Sequence, residues 1–299
     1  MFSNLLPLLI IFLLGILLKK LKVFSTRDAS KFLLFVFYIS APALILYTFP
    51  SFHFEKSDFI LPLLGALISV FMFIVSFSLF KLSHAKIERK TKGTVYTASM
   101  IANTSLVIAI MLSLFGKSGM VKAQMLDFGN GLLIFSLVYY VSALYGTGKP
   151  KSALKKLLAS PPIWALAISL TMNYLSLSFP QWINSSLKIL SQTLVPLVIF
   201  SLGVYINLNL KKNLKPALVV VSIRILFGLI LGMAIVFLLH LTGLNKLVVL
   251  LAFSAPCGFN TLIFSSVNKL DEELASSVVS LSILLYIIIV PLLLHSIHV

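Results

Sequence analysis

The 299-residue sequence holds a single cysteine, Cys257, and only eight acidic residues. One thiol excludes an intrachain disulfide and any Cys-x-x-Cys metal or redox site. The five histidines include no His-x-x-x-His pair, and His53, His84, His295 and His298 fall in loops or at the ends of apolar runs, so no metal centre is expected. No Gly-x-x-x-x-Gly-Lys loop occurs, which disfavours ATP-driven chemistry by this chain. Low-complexity tracts are missing too. The longest connection, "KLSHAKIERKTKGT", is a short basic hairpin and no second folded domain.

What remains is apolar. Hydrophobic residues make up 59% of the chain, charged residues 11%, and the mean hydropathy is +1.07. No soluble domain with a polar skin has that composition, so the chain reads as an all-α integral membrane protein whose first partner is the lipid bilayer. The net charge of +16 invites a nucleic-acid reading. The basic residues, however, are scattered singly and in short clusters between apolar runs and form no stripe, which argues against it.

A membrane helix needs about 20 mostly apolar residues. Ten segments qualify, near 3 to 19, 32 to 49, 59 to 80, 94 to 115, 123 to 145, 161 to 178, 187 to 207, 216 to 241, 246 to 266 and 273 to 295. The first, "MFSNLLPLLIIFLLGILLKKLK", has no basic residue before its apolar core and no small-residue cleavage site after it, which suits a span and not a signal peptide.

Alternate connections differ in charge. Eighteen basic residues lie on one side: Lys19, Lys20, Lys22, Arg27 and Lys31; Lys81, Lys86, Arg89, Lys90 and Lys92; Lys149, Lys151, Lys155 and Lys156; Lys211, Lys212 and Lys215; and Lys269. The other side holds five, Lys56, Lys117, Lys122, Lys188 and Lys246. Short basic loops resist translocation, so the first set is expected in the cytoplasm and both termini outside a cell membrane.

The halves share landmarks. Pro42 in "FYISAPALILYT" and Pro196 in "SQTLVPLVIFSLG" are 154 residues apart, and the Asn-Thr pairs Asn103–Thr104 and Asn260–Thr261 are 157 apart. Five spans per half means that the second repeat, 151–299, enters from the side opposite to the first, 1–150. Inverted repeats of this kind place discontinuous helices near the midplane and build the site there. Pro256 lies ten residues beyond Lys246, or about 15 Å, which is half of a hydrocarbon core of about 30 Å. Asn103 lies nine residues in from Thr94, on the opposite side.

Pro256 lacks an amide hydrogen and crowds the carbonyl four residues earlier. Gly258 leaves the backbone accessible, and Asn260 and Thr261 add an amide and a hydroxyl. Freed backbone groups facing lipid cost several kcal/mol each, so such a break is tolerated only against protein or a wet cavity. Pro256, Gly258, Asn260 and Thr261, with Asn103 and Thr104 across from them, are therefore the expected substrate-binding residues. Ser105 and Ser254 are of second rank, since serine in a span tends to bond its own helix. Pro42 and Pro196 read as kinks. Asp127 and Arg224 are ionisable residues within spans, where charge is expensive unless it is paired or used. Asp127 is expected to take part in proton or cation coupling, and Arg224 to be a counter-charge or an anion contact. Asp271, Glu272 and Glu273 suit the N-terminus of span ten.

These residues resemble a family, the auxin efflux carriers of membrane transport in their short bacterial form. "FYISAPALILYTF" and "LVPLVIFSLGVYI" look like its paired proline motifs, "ANTSLVIAI" is similar to its Asn-Thr-Gly motif, and "APCGFNTLIFSSVNKLDEELASSVVSLSILLYIIIVPLLL" resembles its C-terminal signature. The family motif in span four continues with glycine and then proline, where this chain has Ser105, Ile108 and Ile110, so a shallower break is expected there. The resemblance implies a fold like that of bile acid:sodium symporters, with ten helices in two inverted five-helix repeats. Broken helices four and nine would cross at the substrate, and a transport domain (spans 3–5 and 8–10) would move against a scaffold (spans 1, 2, 6 and 7). It also implies a secondary transporter of a small organic anion, coupled to protons or sodium, with no other cofactor and with a homodimer as one form of assembly. Two other classes compete. A membrane sensor would bind ligand at the same break without moving it, and an intramembrane enzyme would need a base near Cys257, where no histidine falls at mid-span.

Overall fold

The computed structural model describes residues 2–82, 87–146, 161–206 and 213–296. Of the basic loop residues, Lys86, Lys149, Lys151, Lys155, Lys156, Lys211 and Lys212 lie outside the described residues, as do His84, His298 and the boundary at 150. Those described are helical apart from short connections, and the one strand-like pairing among them is an isolated antiparallel bridge between Ala102 and Cys257.

Among the described residues, six stretches are long and apolar enough to cross a membrane: Thr26–Ser51, Lys56–Leu82, Thr104–Tyr145, Gln181–Tyr205, Leu214–Leu238 and Glu272–Leu294. The Thr104–Tyr145 stretch has 42 residues. At about 1.5 Å per residue it would reach about 63 Å, twice the hydrocarbon thickness. Gly116 interrupts it with φ +59° and ψ −148°, a left-handed conformation that glycine adopts without a Cβ penalty. Spans expected at 94 to 115 and 123 to 145 therefore meet at Gly116. Two expected spans are shorter helices in pairs, Arg89–Met100 followed by Thr104, and Gly243–Phe253 followed by Asn260–Val267. The helix expected from 187 begins at Gln181, directly after Pro180. Its first turns, "QWINSSLK", are too polar for hydropathy to reveal.

The chain divides into two compact units. The first comprises Met1–Lys56, Ile108–Gln124 and Leu158–Ile206. In it a π-helical turn, Val36–Ser40, precedes Pro42, and the helix Gln181–Gln192 gives way at Thr193 to the helix Leu194–Tyr205 that carries Pro196. Both prolines thus sit at kinks. The hydroxyls of Ser40 and Thr193 hydrogen bond at 2.7 Å and tie the two kinks together. The amide of Asn173 donates to the carbonyls of Phe49 (2.9 Å) and Phe52 (2.8 Å), closing the end of the Thr26–Ser51 stretch.

The second unit comprises Ser57–Val107, Met125–Leu157 and Asn207–Val299. Tyr96 is its aromatic hub, edge-on to Phe73, Phe80 and Tyr145, with Met100, Ile101 and Phe264 packed in the same cluster. The Glu272–Ser296 helix is capped by Asp271, whose Oδ1 accepts from the Leu274 amide at 3.0 Å, as its acidic start suggested. Each unit reverses the pattern of a soluble protein. Ile10 is 65% exposed in one and Phe237 76% in the other, while Arg224, Asn130 and Ser69 are fully buried. Apolar surface outside and polar groups inside is the arrangement that lipid favours.

Candidate functional site

The site lies wholly within the second unit, at two gaps in helices. One gap is Ile101–Asn103, between the helix Arg89–Met100 and the helix that starts at Thr104. The other is 254–259, between Gly243–Phe253 and Asn260–Val267. Pro256 cannot supply a helical hydrogen bond, and the backbone groups released on both sides satisfy each other. The Asn103 amide donates to the Pro256 carbonyl at 2.8 Å, and the Gly258 amide donates to the Ile101 carbonyl at 3.0 Å. The gaps therefore cross as a two-residue antiparallel ladder about Ala102 and Cys257. Gly258 permits the approach: a Cβ there would stand 2.7 Å from Ile101 Cγ2 and 3.1 Å from the Ala102 carbonyl oxygen. The gap at Asn103 is fully formed despite Ser105, Ile108 and Ile110, and it is the shorter of the two, three residues against six.

Beyond the first gap, Asn103 caps the new helix, its Oδ1 accepting from the Leu106 amide at 3.3 Å. Thr104 donates its hydroxyl to Asp127 Oδ1 and accepts from Asn130 Nδ2 at 3.3 Å. Asn130 also bonds Asp127, one turn away on the same helix. Ser69 closes the cluster, its one hydroxyl hydrogen going to the Met100 carbonyl (3.1 Å), with Asn130 Oδ1 3.5 Å away. Asp127 thus stands beside the N-terminal end of a half-helix, where a negative charge is favoured. Ser69 and Asn130 were missed in the sequence. Asn130, three residues after Asp127, could have been found from that spacing; nothing marks Ser69 among the other serines in apolar runs.

Beyond the second gap the picture is reversed in charge. Arg224, fully buried, donates from Nη1 to the Phe253 carbonyl at 2.9 Å and from Nη2 to the Ala252 carbonyl at 3.2 Å. Tyr286 donates to the Leu251 carbonyl at 2.7 Å, and Ser254 to that of Leu250 at 2.7 Å. All four terminal carbonyls of the Gly243–Phe253 helix are thus satisfied, three of them by side chains from other helices or by the guanidinium. Gly228 leaves room for this cap, since a Cβ would meet the Phe253 carbonyl oxygen at 2.0 Å. Among the described residues no carboxylate pairs with Arg224, and it does not meet Asp127. The Cys257 amide donates to Ser282 Oγ at 3.1 Å, and its side chain is fully buried.

The remaining expected residues divide in two. Asn103 Nδ2 and Thr261 Oγ1 are buried and have no hydrogen-bond partner, each within two residues of the start of a half-helix. Ser105 and Asn260 are half-buried, each in the first turn of its half-helix. Two buried donors lacking acceptors, next to two helix N-termini, form a setting for an anion.

Residues 149–294 match the family described as membrane transport protein. The chain is also 29% identical over 297 residues to an uncharacterized transporter of Methanothermobacter thermautotrophicus, covering 97% of this chain and 96% of that protein. It is 26% identical over 299 residues to an uncharacterized transporter of Methanocaldococcus jannaschii, covering 95% and 94%. The second half of the chain is thus similar to a membrane transport family, and nearly its whole length to two transporters.

Proposed function

We propose that this protein is a secondary transporter of a small organic anion, a carboxylate, working by alternating access in a cell membrane. The observation that carries the reading is the crossing itself. Two half-helices begin beside a backbone ladder, and buried donors at Asn103 and Thr261 there lack an acceptor that a carboxylate would supply. Dicarboxylates such as malate or malonate are the first compounds to test, by analogy with bacterial members of the family.

In this reading the ten helical segments form two inverted repeats. Contacts at nearly constant separation along the chain support it: Ser40 with Thr193, Asn103 with Pro256 and Ile101 with Gly258 are 153, 153 and 157 residues apart. The division into two compact units supports a scaffold and a moving transport domain, the latter carrying the crossing. The bias of basic residues supports termini on the outer side, and a homodimer through the scaffold is compatible with it. Asp127 couples substrate movement to a proton or cation gradient.

The test is reconstitution in liposomes with labelled organic acids under imposed proton or sodium gradients. Accumulation supports the reading. Binding without accumulation would indicate a sensor, and chemical conversion an enzyme. Asp127→Asn is expected to abolish gradient-driven uptake while the folded protein persists in the membrane; unchanged uptake would remove Asp127 from the mechanism.

A further inference from the structure

We infer that the coupling ion is a proton carried by Asp127, and that sodium is excluded because Arg224 already occupies the cation's place at the helix break. The inference rests on the transport reading above and selects between its two ions.

Transporters with broken helices hold coupling cations at unwound carbonyls and at the C-terminal ends of half-helices. Here the terminal carbonyls of the Gly243–Phe253 helix are taken. Phe253 and Ala252 offer their carbonyls to Arg224, Leu251 to Tyr286, and Leu250 to Ser254. The C-terminal end of the other half-helix is closed as well, the Met100 carbonyl by Ser69 and that of Ile101 by the Gly258 amide. A fixed guanidinium therefore supplies the positive charge that a half-helix C-terminus attracts.

Asp127 is the one carboxylate in the cluster, and the groups around it turn hydrogens toward it. Thr104 accepts from Asn130 Nδ2, so its own proton goes to Asp127 Oδ1. Asn130 bonds Asp127 through its side-chain amide, since an ionised carboxylate only accepts. An alkali cation needs a shell of oxygen acceptors, whereas this shell is made of donors, which suit a carboxylate that gains and loses a proton. No charged group intervenes. The helix Leu61–Leu82 contributes Ser69, the 104 end contributes Thr104, and Asp127's own helix contributes Asn130, while Lys122 on that helix pairs with Glu55 at 3.6 Å. In each cycle the carboxylate takes one proton from one side, becoming a neutral acid, and releases it on the other. One proton then crosses with each anion and cancels one of its negative charges.

The experiment uses the purified full-length protein, with protons and sodium ions as the only probes. A pH-difference infrared spectrum of the wild type is expected to contain, among the C=O bands of the eight carboxyl side chains, one component that Asp127→Asn removes. Thermal midpoints in sodium chloride and choline chloride at equal ionic strength are expected to coincide. A sodium-specific stabilisation of the wild type, or carboxyl bands identical in the wild type and Asp127→Asn, would overturn the inference. Neither measurement needs a substrate, so failure here leaves the uptake assay to judge transport on its own.

Discussion

Arg224 is the most costly side chain in the second unit and also one of the most useful. A buried guanidinium in an apolar span is tolerated when it is hydrogen-bonded, and the broken end of the Gly243–Phe253 helix supplies carbonyls to both Nη1 and Nη2, leaving Nε without a partner. The sequence reading of Arg224 as a counter-charge or an anion contact did not include these carbonyl bonds, because a helix end in mid-membrane is invisible until the break is folded. Tyr286, thirty residues downstream of Pro256, was missed for the same reason. Tyr286→Phe removes one buried bond to the Leu251 carbonyl and should cost about 1 to 3 kcal/mol, read as a lower thermal midpoint in detergent. Arg224→Gln should cost more than Tyr286→Phe, since it leaves two such carbonyls short of partners.

Breaks, unlike the residues that cap them, are legible in a sequence. Pro256 and Gly258 disrupt a helix by known chemistry, and Asn103 is a preferred helix cap, so both gaps fall where the sequence reading put them. The turn at Gly116 was legible only as the end of an apolar run; its left-handed backbone emerges from the structure. Gly116→Ala should therefore destabilise by about 1 to 2 kcal/mol, the penalty of a Cβ in that conformation. Gly258→Val acts differently. It forces the gaps apart at Ile101, so it should abolish transport more completely than Pro256→Ala, which partly mends the helix. Equal transport by Gly258→Val and wild-type protein in the same liposomes would mean that the ladder has no part in function.

For the protein as a whole, apolar exterior and polar interior follow from composition, and similarity to a membrane transport family agrees with them. Topology can be tested with Cys257 replaced by serine and single cysteines placed in the connections. Thiol reagents that do not cross membranes should reach a cysteine at Lys188 from outside and one at Lys22 only from the cytoplasm. The central claim is that the crossing of two broken helices binds and moves an anion. Accumulation of labelled carboxylates in proteoliposomes, compared between the wild type and a folded Asn103→Ala, Thr261→Val double variant, tests it most directly. Saturable uptake by the wild type and its loss in the double variant is the predicted result; equal uptake by both proteins would contradict the account.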